Sequence, residues 1–104
     1  MQLKIDHLTF DCWDFRLADI ERRGGVIVLL ARHRDGRNEV LDAIATFDMQ
    51  GVAIDCAEAG RLRQHEPGAT VKLLTCATAR AEASDIARTL LRQRWVYPVD
   101  MYPR

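Results

Sequence analysis

The chain has 104 residues, 48% of them apolar and 29% charged, with 15 basic and 15 acidic side chains. That length holds one domain with a single core, and the balance of apolar and charged residues excludes a disordered chain. Zero net charge argues against a strongly electrostatic partner. The longest apolar run, Val26 to Ala31, is far too short to cross a bilayer. The start of the chain lacks the basic-then-apolar pattern of a signal peptide. No membrane partner is expected, and the chain reads as cytoplasmic, its three cysteines (Cys12, Cys56, Cys76) kept as thiols. None of the three lies close enough to another for a zinc knuckle, so no metal or other cofactor is called for.

Taken in order, residues 1–24 read as an arm that covers the domain. Leu3 and Ile5, then Leu8, Phe10 and Cys12, alternate as in a short strand, but the period slips at Asp6-His7. Trp13, Phe15, Leu17 and Ile20 are placed to close a core. Residues 25–104 form the domain proper. Gly24-Gly25 leads into the apolar run Val26–Ala31, which reads as a strand buried on both faces. Asp35-Gly36 supplies a hairpin corner, and Glu39–Ala45 returns as the second strand.

Asp48 is the N-cap residue type for a helix with Val52, Cys56, Ala59 and Leu62 on one face. Gly60 falls inside that helix and weakens it, and Pro67-Gly68 ends it. A strand over residues 52–56 is the alternative. Thr70–Cys76 reads as a third strand. Thr78 caps a long helix over Ala79–Trp95, with Ala79, Ala83, Ile86, Ala87, Leu90 and Leu91 as its apolar stripe. The tail is extended, because Pro98 and Pro103 resist helix. It docks on the body or on a second subunit. The expected fold class is α+β: a small, three-stranded, mostly antiparallel sheet flanked by helices in β-β-α-β-α order, with an N-terminal arm.

Charge is unevenly spread. Residues 1–60 carry eleven acidic and seven basic side chains; residues 61–104 carry four and eight. The basic residues of the second part are nearly all arginine, which suits bidentate phosphate or carboxylate contacts. Arg61, Arg63 and His65 form one candidate cluster for a nucleic acid or a phosphate. Arg80, Arg88 and Arg92, stepping along one face of the last helix, form the other. A solvated helix surface is the plainer reading of both. His7 and His33 stand on separate elements with no short spacing. Asp42 is unusual in an apolar strand, and it either faces solvent at an edge or pairs with an arginine.

The layout resembles the GIY-YIG nuclease domain, a compact β-β-α-β-α fold. Gly25-Val26-Ile27-Val28-Leu29 stands where that family's first tripeptide would be, and Val40-Leu41-Asp42-Ala43-Ile44 where the second would be. Leu62-Arg63-Gln64-His65 resembles the basic helix end, and Gly68-Ala69-Thr70-Val71-Lys72 resembles the entry to the third strand. Residues 81–91 resemble the closing helix. The family cuts phosphodiesters with two tyrosines, an arginine and a metal-binding glutamate. Here Ile27 replaces the first tyrosine, Asp42 or a neighbour the second, and Ala87 stands at the metal position; Arg61 or Arg63 matches the arginine. Isoleucine activates no nucleophile and alanine holds no metal. The resemblance therefore implies a domain without catalytic residues, binding nucleic acid or a protein partner through its arginines. Two alternatives remain: a divergent metal-dependent nuclease using Glu82, and a homodimeric scaffold joined through Trp13, Phe15, Tyr97 and Tyr102.

Overall fold

The computed structural model describes residues 2–14, 16–63 and 67–101. Among them, seven strands and two α-helices follow one another, with a single 3-10 turn (Leu17–Asp19) after the second strand: β1 (Gln2–Ile5), β2 (Leu8–Trp13), β3 (Gly25–Arg32), β4 (Asn38–Thr46), α1 (Met49–Glu58), β5 (Thr70–Ala77), α2 (Arg80–Gln93), β6 (Trp95–Val96) and β7 (Val99–Met101). The strands form one antiparallel sheet in the order β6-β4-β3-β5-β2-β1-β7. The protein is α+β, but the expected three-stranded sheet with an added arm is wrong. The sheet has seven strands and curls into a half-barrel.

The reason lies at both ends of the sequence. Residues 2–13 are two strands of the sheet rather than a covering arm. The slip in alternation at Asp6-His7 is their turn, with Asp6 in the left-handed region at φ 57°, a conformation that aspartate tolerates. The turn brings Ile5 opposite Leu8 and Leu3 opposite Phe10, so Leu3, Ile5 and Phe10 are all buried. The tail contributes the remaining two strands. β6 pairs with β4 at Asn38 and Glu39, on one edge, and β7 pairs with β1 on the other. Only Tyr97 and Pro98 join them. Three residue steps span about 10 Å when fully extended, so the two edges of the sheet must curl to within that distance of each other.

β3 lies inside the sheet between β4 and β5, and its alternation divides the core. Val26, Val28 and Leu30 lie in one cluster with Leu3, Ile5, Phe10, Leu74 and the α2 residues Ala83, Ala87 and Leu90. Ile27 and Leu29 lie in a second cluster with Ile20, Leu73 and the α1 residues Met49, Ala53 and Cys56. The two helices thus sit on opposite faces of the sheet, α2 on the concave side. Fully burying each such aliphatic side chain contributes about 1.5–3 kcal/mol. Seven consecutive residues of β3 are buried, as the apolar run implies. A Cβ on Gly25 would meet the Cys76 carbonyl oxygen and come within 2.6 Å of Met49 Sδ. Glycine is there because β5 and α1 leave no room.

α1 begins where the sequence places it: Asp48 accepts from the Gly51 amide at 3.1 Å. It ends earlier than expected. Gly60 lies outside the helix at φ 75°, with Arg61 N donating to Cys56 O and Gly60 N to Ala57 O. This is the paired C-terminal closure that a left-handed glycine permits, so Gly60 terminates the helix instead of weakening it. α2 starts at Arg80 behind an extended Ala79, and no side chain caps it. Thr78, expected as the cap, donates its hydroxyl to Glu82 Oε2 at 2.9 Å. α2 stops at Arg94, a non-glycine residue at φ 63°, whose carbonyl accepts from Val40 N. That bond ties the helix end to β4, next to β6.

Candidate functional site

The two predicted arginine clusters do not meet. Arg61 follows α1, on the convex face. Its guanidinium reaches Asp42 Oδ2 at 2.6 Å and lies 3.9 Å from Cys56 Sγ. Asp42 is therefore the paired carboxylate of the two options its sequence left open. Its other oxygen accepts from the Ala43 amide at 2.8 Å. Arg63 is exposed on the same side, and His65 lies outside the described residues. Arg80, Arg88 and Arg92 stand on α2, against the concave face, with the sheet between them and Arg61.

The α2 arginines differ in their surroundings. Arg80 stacks on Phe47, with its guanidinium carbon 4.6 Å from the ring centroid. Phe47 is itself 67% exposed, so this pair forms a surface feature at the helix start. Arg88 lies 3.6 Å from Asp85, one turn back, and both are exposed. Such a pair contributes little in water. Arg92 is exposed in the last turn, where a cation complements the helix dipole. Leu91 beside it is 47% exposed. The outer face of α2 thus mixes arginine with the uncovered Leu91 and, beside its start, Phe47, and Glu82 and Asp85 interrupt its positive charge.

A second group was not legible in the sequence as a cluster. Glu39, at the start of β4, holds His33 Nε2 at 3.0 Å and Arg94 Nε at 2.8 Å. The Arg94 hydrogen bond, and then that of His33, hold the Glu39 carboxyl below its ordinary range against the opposing effect of burial. Trp95 completes the group: its ring lies 5.6 Å from His33 and 4.5 Å below the Arg37 guanidinium. These residues come from the hairpin corner, β4 and the end of α2, so no local spacing announces them. Because β6 starts at Trp95, the group clamps a sheet edge.

Three hollows bear on binding. One of about 330 Å³ opens on the α1 side, lined by Asp11, Asp19, Glu21, Trp13 and Thr75. Trp13 donates its indole N–H to Thr75 Oγ1 at 2.8 Å, which fixes the ring as part of the wall. Another, of about 420 Å³, lies where β6 and β7 approach each other, lined by Leu3, Leu30, Arg32, Asn38, Lys72 and residues 97–100. The third, of about 160 Å³, lies between Phe47, Arg80 and Ser84. The thiols of Cys12, Cys56 and Cys76 are pushed up by burial, which leaves them poor nucleophiles near neutral pH. Among the described residues, no three His, Cys, Asp or Glu side chains gather as a metal site, and no helix is long and apolar enough to cross a membrane.

No family model, curated protein or solved structure matches this chain. No comparison identifies a GIY-YIG domain, and the geometry of the surface must carry the functional reading.

Proposed function

We propose that this chain is a non-catalytic binding domain that docks an acidic protein segment on the outer face of α2. One observation carries the reading: Arg80, Arg88 and Arg92 step along α2 beside two uncovered apolar side chains, Leu91 on the helix and Phe47 under Arg80. Arginine and aromatic residues together are the composition of protein interfaces. A surface built to follow phosphates shows a denser, unbroken run of cations, and here Glu82 and Asp85 break it. The cytoplasm is the compartment this reading assumes, since all three cysteines are free.

The nuclease alternative gains little from the arrangement. Glu82 is exposed and hydrogen-bonded to Thr78, with the sheet separating it from Arg61 and Arg63. Ile27 is buried under α1. The homodimer alternative keeps Tyr97, which is 83% exposed. It loses Trp13, which is packed against the second core cluster. Phe15 and Tyr102 lie outside the described residues.

The test is fluorescence anisotropy with a labelled Glu- and Leu-rich peptide, run beside labelled single-stranded and duplex oligonucleotides. Saturable peptide binding that is lost in the triple variant Arg80→Glu, Arg88→Glu, Arg92→Glu supports the proposal. Binding of the oligonucleotides alone, falling steeply as salt rises, moves the reading to nucleic acid. No binding of either probe refutes the role of this face.

A further inference from the structure

The cleft at the seam of the half-barrel lies apart from the outer face of α2 and has a chemistry of its own. It forms where Tyr97 and Pro98 carry the chain from one sheet edge to the other. Leu30 and Lys72 are directly opposed across β3 and β5. Arg32 lies two residues beyond Leu30 on the same, concave face. Arg32 and Lys72 are therefore diagonal neighbours, their Cβ atoms roughly 7–8 Å apart. Leu3 and Leu30 line the cleft from the core, each with under 5% of its surface exposed.

Two cations on one sheet face repel each other, and several other cations of the molecule have a carboxylate beside them. Arg61 has Asp42, Arg94 has Glu39, Arg37 has Asp35 and Arg22 has Asp48. Among the described residues, Arg32 and Lys72 have no ion-pair partner. Asp100 is the one carboxylate in the lining, which leaves the cleft with a formal charge of +1. The volume of about 420 Å³ falls within the range of small-molecule sites, and the mouth of a barrel is a common place for one.

We propose that this cleft binds a small organic anion, its carboxylate or phosphate head between Arg32 and Lys72 and its apolar body against Leu3 and Leu30. Arg32 supplies a planar fork for two oxygens and Lys72 a mobile point charge. The exposed ring of Tyr97 stands at the rim, where it covers a planar ligand. An inorganic ion uses only the charged half of the site, and a neutral ligand only the apolar half.

Phenyl phosphate and benzoate are the probes, with inorganic phosphate and benzyl alcohol as half-ligand controls. Binding is read by calorimetry and by NMR shifts of the Leu3 and Leu30 methyl groups. The organic anions are expected to bind at least tenfold more tightly than either control. The double variant Arg32→Gln, Lys72→Gln is expected to lose at least tenfold in affinity, since each charge-assisted hydrogen bond is worth about a tenfold factor or more. Removing the repulsion also leaves the ligand-free double variant at least as stable as the parent, a readout independent of any ligand. Equal affinity in parent and double variant overturns the proposal. So does the absence of saturable binding at millimolar probe, or shifts confined to residues outside the cleft.

Discussion

Replacing Glu39 by alanine tests whether the carboxylate clamp holds the β6 edge. The side chain is 13% exposed and bonds to His33, which is 14% exposed, and to Arg94, which is 64% exposed. The half-buried contact to His33 counts as a hydrogen bond to a charged group, about 1.5–2 kcal/mol. The contact to Arg94 is largely in solvent and counts for about 0.5 kcal/mol. The expected loss is therefore about 2 kcal/mol. With a urea slope of about 1–2 kcal/mol/M for a chain of this size, the midpoint falls by about 1–2 M with the slope unchanged. The loss also has a defined pH dependence. Arg94, and then His33, lower the folded-state pKa of Glu39. Its contribution is thus fully present above the unfolded value of about 4.3 and disappears as pH falls through the lower folded value. The difference between parent and Glu39→Ala should be present at pH 7 and vanish in acid. A difference below about 0.5 kcal/mol at pH 7, or one that persists undiminished at acid pH, refutes the assignment.

Two further substitutions probe the fold. Gly25→Ala puts a methyl group against the Cys76 carbonyl and Met49 Sδ; overpacking of this kind costs about 1–3 kcal/mol, and a thermal midpoint equal to the parent's would show that β5 and α1 yield more easily than their packing implies. Asp48→Ala removes the acceptor for the Gly51 amide and should cost about 1 kcal/mol in urea unfolding. The same substitution also breaks the exposed ion pair with Arg22, which adds little, so a cost near zero would mean that water replaces the cap.

What the sequence makes legible is local. The hairpin of β3 and β4, the Asp48 cap, the existence of both helices and the β5 strand all follow from patterns a few residues long. What it hides is pairing at a distance. Leu3, Ile5 and Phe10 alternate correctly, but nothing near them says that Trp13 will lie opposite Leu73 and join the hairpin to the main sheet. Trp95-Val96 and Val99–Met101 are too short to show a period, and only their partners make them strands. Gly60 reads as a flaw in a helix because a C-terminal closure depends on φ, which composition does not reveal. The same holds for the surface. Arginine spacing on α2 is readable, but whether Arg61 shares that surface depends on which sheet face each helix covers. Glu39, His33, Arg94 and Trp95 meet only through tertiary structure.

The seam through Tyr97 and Pro98 bears on the order in which this protein folds. Gln2 lies opposite Met101, so residues near the two ends of the described chain are neighbours in the finished sheet. The long edge of β4 and the outer edge of β1 both wait for a single short segment, residues 95–101. Until it arrives, two strands expose unpaired backbone groups that another copy of the chain can pair with. Contacts of such long sequence separation form slowly. One cut between Val96 and Val99 would disconnect both edge strands from each other while leaving the central strands intact. Between the making of β5 and the placing of its last two strands, the sheet thus exposes more unpaired edge than it does once they are in place.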